Sequence, residues 1–99
     1  MRFVIKNIRE SISTLARKIG YFYLKKDEAK KEMSFIQPME ISGYPRFHLY
    51  LKIENQDWIF NLHLDQKRPI YEGTPAHSGE YEGEVIEKEA ERIKQILQK

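Results

Sequence analysis

Alternation of apolar and polar side chains runs through the middle of the chain, in two segments separated by a short polar stretch. Within residues 47–53, and again within residues 58–64, every second residue is apolar. The stretch between them, residues 54–57, reads Glu-Asn-Gln-Asp and suits a tight turn. Period-two alternation is typical of strands with one buried face, so the pattern predicts a β-hairpin. The apolar positions are Phe47, Leu49, Leu51 and Ile53 in the first segment and Trp58, Phe60, Leu62 and Leu64 in the second.

The side chains also predict which residues of this hairpin face each other. A turn centred on Asn55 and Gln56 places every apolar position of one segment opposite an apolar position of the other. A shift by one residue would oppose apolar to polar positions throughout, whereas a shift by two keeps the faces and is left open. On the polar face, the predicted pairs are Arg46 with Asp65, His48 with His63, and Tyr50 with Asn61.

Helical spacing appears at both ends of the chain. Residues 8–19 and 84–97 carry apolar side chains at steps of three and four, which predicts two amphipathic helices. Asn7 and Glu10 have the spacing of a capping box, and Gly20 suits the left-handed position that ends a helix. The buried stripes are predicted to be Ile8, Ile12, Leu15, Ala16 and Ile19 in the first helix and Ile86, Ala90, Ile93 and Leu97 in the second.

The remaining segments are less regular. Residues 25–32 form a mixed charge run, which is typical of a solvated loop or an exposed helical turn. Residues 35–41 predict a first strand, and Pro38 favours a sheet edge because proline cannot donate to a ladder. Residues 69–83 are rich in proline and glycine and predict a long loop, in which Ile70-Tyr71 is a candidate short fourth strand. A loop of this length favours a functional role.

These elements predict an α+β fold in a single domain, residues 1–99. The expected order is a helix, a three-stranded antiparallel meander with the short fourth strand as an option, and a closing helix. We expect both helices to pack on the apolar face of the sheet, because that face and the helical stripes must bury each other.

Composition and charge narrow the function classes only slightly. The 99 residues contain no cysteine, which excludes disulfides and thiolate metal sites. No segment approaches the roughly 18 apolar residues of a membrane span, and the first ten residues lack a signal-peptide core. We therefore expect a cytoplasmic protein without a membrane partner. Residues 1–52 hold 11 basic and 5 acidic residues, whereas residues 53–99 hold 6 and 10. This asymmetry is explained by neutralisation within the fold or in a homodimer, or by a basic surface for an anionic partner.

The predicted polar face carries the candidate chemistry. Directly opposed side chains start about 4.5–5.5 Å apart at their Cβ atoms, so two imidazoles and a neighbouring carboxylate can share one ligand. Three or four such nitrogen and oxygen ligands suit zinc or another divalent transition metal. The candidate metal ligands are His48, His63 and Asp65, with His77 and Glu80 contributed by the long loop.

A phosphate-bearing ligand, such as RNA, is the second candidate for the same face. A cationic side chain holds phosphate and an aromatic ring stacks on a base. The candidate residues are Arg46, Tyr50 and Lys67. We therefore predict a small binding protein whose polar sheet face takes a divalent metal or a phosphate-bearing ligand.

Two alternatives remain open at this point. In the first, His48 and His63 act as acid and base in a small nuclease. Asp65-Gln66-Lys67 resembles the D-x-K element of the restriction-endonuclease-like nucleases, whose pattern also has an acidic residue on the preceding strand, and residues 46–53 contain none. In the second alternative, the polar face is an ordinary solvated sheet surface of a non-catalytic interaction module.

Three segments together resemble an uncharacterised family of short prokaryotic hypothetical proteins. They are PRFHLYLK, NLHLDQK and AHSGEY, and the resemblance extends from about residue 34 to residue 99. It implies no activity, cofactor or site residue, so the hypotheses above depend on the residues alone.

Overall fold

The computed structural model describes residues 1–66, 79–80 and 83–98. It confirms the α+β class, with an antiparallel sheet of five main strands and two helices. The sheet order is β1-β5-β4-β3-β2, and the two-residue β6 also pairs with β5. In chain order the elements are β1 (Arg2–Lys6), α1 (Ile12–Ile19), β2 (Phe22–Asp27), β3 (Glu32–Pro38), β4 (Arg46–Glu54), β5 (Asp57–Asp65), β6 (Gly79–Glu80) and α2 (Glu84–Leu97).

The central hairpin has the predicted register. β4 and β5 pair so that Phe47 lies opposite Leu64 and Ile53 lies opposite Trp58. The two-residue slip that the sequence left open is therefore excluded. Asn55 in the turn has a φ of 58°, a left-handed conformation that asparagine tolerates better than most residues. Burial of the shared apolar face fixes this register, because any one-residue shift would turn that face to water.

The sheet contains a strand at the start of the chain that the sequence analysis missed. β1 pairs with β5, and its Phe3 and Ile5 lie in the core while Val4 is exposed. Three successive apolar residues hid this alternation. The first helix also begins later than predicted, with Ser11 as its N-cap, since the Ser11 hydroxyl accepts from the Thr14 N–H.

The capping-box prediction for residue 7 is wrong because the strand before the helix already engages that residue. Asn7 has a φ of 58°, and its N–H donates to the Gln56 carbonyl at 3.1 Å. It therefore turns the chain out of the sheet instead of starting the helix. Gly20, with a φ of 84°, ends the helix as predicted.

The predicted charged loop contains a strand instead. β2 covers Phe22–Asp27, and a turn leads from it into β3. All six residues of β2 are exposed, including the apolar Phe22, Tyr23 and Leu24, and the strand lies at the edge of the sheet. β3 lies between β2 and β4, so the prediction that Pro38 marks a sheet edge is wrong. Proline is tolerated there because the pairing with β2 already ends at Ile36.

Both helices bury their stripes against the apolar face of the sheet, as expected. Leu15 and Ile19 of α1 and Ile86 and Ile93 of α2 join one core cluster with the strand residues. The closing helix spans the predicted residues 84–97. Within the part of the chain described here, neither helix is long and apolar enough to cross a membrane.

Most of the predicted loop 69–83 lies outside the described residues, as does the candidate strand Ile70-Tyr71. The loop prediction is wrong at Gly79–Glu80, which form β6. This strand pairs with Leu64 and Asp65, next to the end of β5. Because β4 occupies one edge of β5, β6 must use the same edge as β1.

Candidate metal centre

The register of β4 and β5 brings the two predicted histidines side by side on the face opposite the core. His48 and His63 are paired residues, and the centres of their rings lie 5.0 Å apart with the planes tilted by 52°. Arg46 and Asp65 form the neighbouring pair on the same face. The placement predicted from alternation is therefore confirmed for these four residues.

Asp65 connects the cluster through both of its carboxylate oxygens. Its Oδ2 lies 3.1 Å from His48 Nδ1, and its Oδ1 lies 3.2 Å from His63 Nε2. Arg46 Nε donates to Oδ2 at 3.1 Å. An ionised carboxylate only accepts hydrogen bonds, so His48 Nδ1 carries the proton in this arrangement.

Burial strengthens these contacts. His48 and His63 are only 7% and 8% exposed, and the Asp65 side chain is 21% exposed. Burial by itself raises the pKa of Asp65, but hydrogen bonds from His48, His63 and Arg46 outweigh it and hold that pKa well below its ordinary value. Asp65 is therefore an anion at neutral pH, ready to serve as a ligand.

One nitrogen of the cluster lacks a hydrogen-bond partner in the described part of the chain. His48 Nε2 is buried and unpaired. With Nδ1 protonated, Nε2 carries a lone pair that no neighbouring donor among the described residues satisfies. Buried polar atoms of this kind are uncommon and often belong to a ligand-binding or catalytic group.

Aromatic packing holds the two imidazoles in place. Tyr50 stacks on His48 with ring centres 4.4 Å apart and lies 5.2 Å from His63. β3 contributes Ser34 opposite Tyr50 and Ile36 opposite His48. These two neighbours were missed by the sequence analysis because only the hairpin register could be derived. The predicted meander places strand 35–41 beside strand 46–53, but it gives no register between them.

The remaining predicted site residues are placed less completely. Arg46 and Tyr50, the candidate phosphate ligands, both contact the cluster, and the Arg46 guanidinium also lies 4.7 Å from the centre of the Tyr44 ring. Lys67 and His77 lie outside the described residues. Glu80 is in β6 opposite Leu64, but its side chain is not described. Phosphate binding therefore stays a prediction.

The cluster meets the basic geometric requirement of a metal site. His48, His63 and Asp65 each offer one ligand atom, and these atoms lie within 4.8 Å of one another. Two ligand atoms that share a tetrahedral zinc ion, at bond lengths of about 2.0–2.2 Å, lie about 3.3 Å apart. The separation of His63 Nε2 from Asp65 Oδ1, 3.2 Å, is close to that value.

Comparison with known proteins adds no family to this description. The chain matches no protein-family model, no curated protein and no solved structure. The class that the fold and the site define is thus an α+β domain with a His/His/Asp group on the polar face of its sheet.

Proposed function

We propose that this protein binds a divalent transition-metal ion, zinc being the best chemical fit, through His48, His63 and Asp65. The observation that carries the proposal is the convergence of one ligand atom from each residue within 4.8 Å. Two imidazole nitrogens and one carboxylate oxygen form a donor set that zinc and its neighbours prefer over magnesium or calcium.

The setting of the cluster supports this function. Rigid strands carry all three side chains, and the ring of Tyr50 packs against both imidazoles. Low exposure of the histidines removes competing water, which strengthens the attraction between a cation and the Asp65 carboxylate. Three protein ligands leave a fourth position for water or a substrate, the arrangement typical of catalytic zinc sites.

Metal analysis of the purified protein tests the proposal directly. We expect one equivalent of zinc or cobalt to bind the unaltered chain, and His63→Ala to abolish stoichiometric binding. Asn61→Ala is the matched control, because Asn61 is an exposed residue on the same strand and face. Failure of the unaltered protein to bind metal, or equal binding by the His63 variant, would contradict the proposal.

A metal-free nuclease is the second candidate, and the unpaired His48 Nε2 favours it. With Nδ1 held by Asp65, Nε2 carries the lone pair that would take the proton of an RNA 2′-hydroxyl as that oxygen attacks the adjacent phosphate, once side-chain movement exposes this buried atom. His63 would protonate the departing 5′-oxygen. A cleft of about 160 Å³ lies beside Tyr50, but Asp27 and Glu32 line it together with Lys25 and Lys30, so it has no net positive charge to offer a phosphate backbone.

Labelled RNA separates the two functions. Metal-free acid–base cleavage would persist in a chelator and would be lost in both His48→Ala and His63→Ala. Cleavage that survives both substitutions would exclude these histidines as the catalysts. No cleavage together with stoichiometric zinc binding would leave the metal site as the function.

A further inference from the structure

Arg46 occupies part of the carboxylate that the proposed metal would use. Its Nε donates to Asp65 Oδ2 at 3.1 Å, and its side chain is only 20% exposed. The Arg46 guanidinium also lies over the Tyr44 ring, 4.7 Å from its centre, and this cation–π contact restricts the Arg46 side chain further. Arg46 is therefore a fixed partner of Asp65 and not a mobile surface cation.

The two oxygens of Asp65 consequently differ in what they can do. Oδ2 accepts from Arg46 and also faces His48 Nδ1, whereas Oδ1 faces His63 Nε2. A cation that approached Oδ2 would compete with a guanidinium of like charge. A cation that approached Oδ1 would meet an imidazole nitrogen that is itself a metal ligand.

We propose that Arg46 is a positioning residue that sets the metal specificity of the site, by leaving Asp65 a single oxygen for the metal. This inference rests on the proposed metal-binding function. Arg46 does not touch the ion. It acts through Asp65, as hydrogen-bond partners of metal-binding carboxylates generally do.

The physical consequence is selection against hard cations. Calcium and manganese bind best where several carboxylate oxygens surround them, and calcium often takes a carboxylate through both oxygens. Arg46 neutralises one oxygen of the single carboxylate in the cluster. It therefore weakens the binding of manganese and prevents calcium from using both oxygens of Asp65. The affinity for zinc and cobalt falls less, because imidazole nitrogens supply most of their binding and four ligands complete their coordination.

The test compares the unaltered protein with Arg46→Gln in competition between zinc and manganese. Because outer partners of metal ligands typically change affinity by about 10–100-fold, we expect the preference for zinc over manganese to fall about tenfold in Arg46→Gln. We also expect the visible spectrum of bound cobalt to change from the intense bands of four-coordination to the weaker bands of five- or six-coordination. A purely structural role of Arg46 would leave that spectrum unchanged.

Two further variants make the test specific. Lys6→Gln removes the same unit of charge from the exposed Lys6–Asp57 pair at the other end of β5, and it should leave both the preference and the spectrum unaltered. Arg46→Lys keeps the charge with a different donor geometry and covers the case in which Arg46→Gln does not fold. We expect its preference for zinc to fall measurably, but by less than in Arg46→Gln, and an unchanged preference in Arg46→Lys would contradict the role of Arg46.

The outcomes separate the two proposals. Stoichiometric zinc binding with the same preference and the same cobalt spectrum in the unaltered, Arg46→Gln and Arg46→Lys proteins would overturn the role of Arg46 and leave the metal site standing. Absence of metal binding in the unaltered protein would overturn both.

Discussion

Among the residues that the structure describes, Glu89 and Asp65 are both carboxylates with low exposure that accept several hydrogen bonds, and their partners differ. Glu89 of α2 is buried, and it accepts hydrogen bonds from the Tyr21 hydroxyl at 2.6 Å and from Arg92 Nε at 2.8 Å. Arg92 Nη2 also donates to the Ile19 carbonyl at 2.6 Å. This group ties α2 to the end of α1, and the two side chains that contact Glu89 both act as hydrogen-bond donors to it.

The Asp65 cluster on the other face of the sheet uses acceptors as well as donors. Imidazoles replace the tyrosine hydroxyl, and one imidazole nitrogen, His48 Nε2, is buried and unpaired among the described residues. Burial of a carboxylate therefore does not by itself mark a functional site. What distinguishes the two clusters is the kind of partner, since only imidazoles can exchange a proton at neutral pH or bind a metal.

Glu89→Ala should have the largest effect on stability. Glu89 is 7% exposed, and its removal leaves the Tyr21 hydroxyl and the Arg92 guanidinium without their acceptor. We expect the free energy of unfolding to fall by about 3 kcal/mol, the usual cost of breaking a buried ionic group. Denaturant unfolding measures this change. Zinc binding should be unaffected.

Glu91→Ala is the matched control for this substitution, because Glu91 is an exposed glutamate two residues further along α2. It should change the free energy of unfolding by less than about 0.5 kcal/mol. If Glu89→Ala also cost less than that, the Glu89 group would not tie the helices together as described.

Asp65→Asn should remove the stabilisation that zinc provides. A ligand that binds only the folded state at 100 times its dissociation constant adds about 2.7 kcal/mol to the free energy of unfolding. Asparagine keeps the size of the side chain but lacks the charge that attracts the ion. We expect added zinc to raise the unfolding temperature of the unaltered protein and to leave the unfolding temperature of Asp65→Asn unchanged. An equal shift in both proteins would exclude Asp65 as a ligand.

The third effect concerns alkaline pH and the Glu89 group. Burial, together with the hydrogen bond and negative charge of Glu89, raises the pKa of Tyr21 far above its ordinary value of 10, although Arg92 acts in the opposite direction. Above pH 10 the unfolded chain loses this phenolic proton while the folded chain keeps it, so stability must fall as the pH rises.

We expect the free energy of unfolding to fall by about 1.4 kcal/mol between pH 9 and pH 11, which is the free energy that corresponds to one pKa unit. Tyr21→Phe should lack this contribution, since phenylalanine has no proton to lose. Denaturant unfolding of both proteins across that interval measures the difference. Identical pH dependence in the two proteins would show that Tyr21 titrates normally in the folded state.

The candidate site was more predictable from the sequence than the sheet around it. Period-two alternation in two adjacent strands determines both the buried face and the pairing, so His48, His63 and Asp65 could be placed together from the residues alone. Glu89 gave no comparable signal. Its partner Tyr21 is distant in sequence, and the docking of α2 onto α1 determines their contact.

The missed strands show the limits of the pattern. β1 has only five residues, and its apolar side chains lie on both faces of the sheet, Phe3 and Ile5 on the core face and Val4 on the other. β2 is exposed along its whole length. An edge strand that buries neither face needs no alternation of apolar and polar side chains, and β2, with three apolar residues followed by three charged ones, has none. The pairing of β3 with β2, and the register of β3 on β4 that sets Ser34 opposite Tyr50, were consequently not predicted.

The smallest effect should come from Asp57→Asn, which tests whether position on β5 or residue type makes Asp65 a ligand. Asp57 and Asp65 lie at opposite ends of the same strand, roughly 27 Å apart at about 3.4 Å per residue, and point to the same face. Asp57 is paired with Lys6 at 3.8 Å, and both side chains are well exposed. Exposed ion pairs contribute little to stability, so we expect the free energy of unfolding to change by less than about 0.5 kcal/mol. The rise in unfolding temperature that zinc causes should remain complete. Loss of that shift in Asp57→Asn would mean that zinc responds to the general charge of the polar face, and the comparison between Asp65 and the other carboxylates would fail.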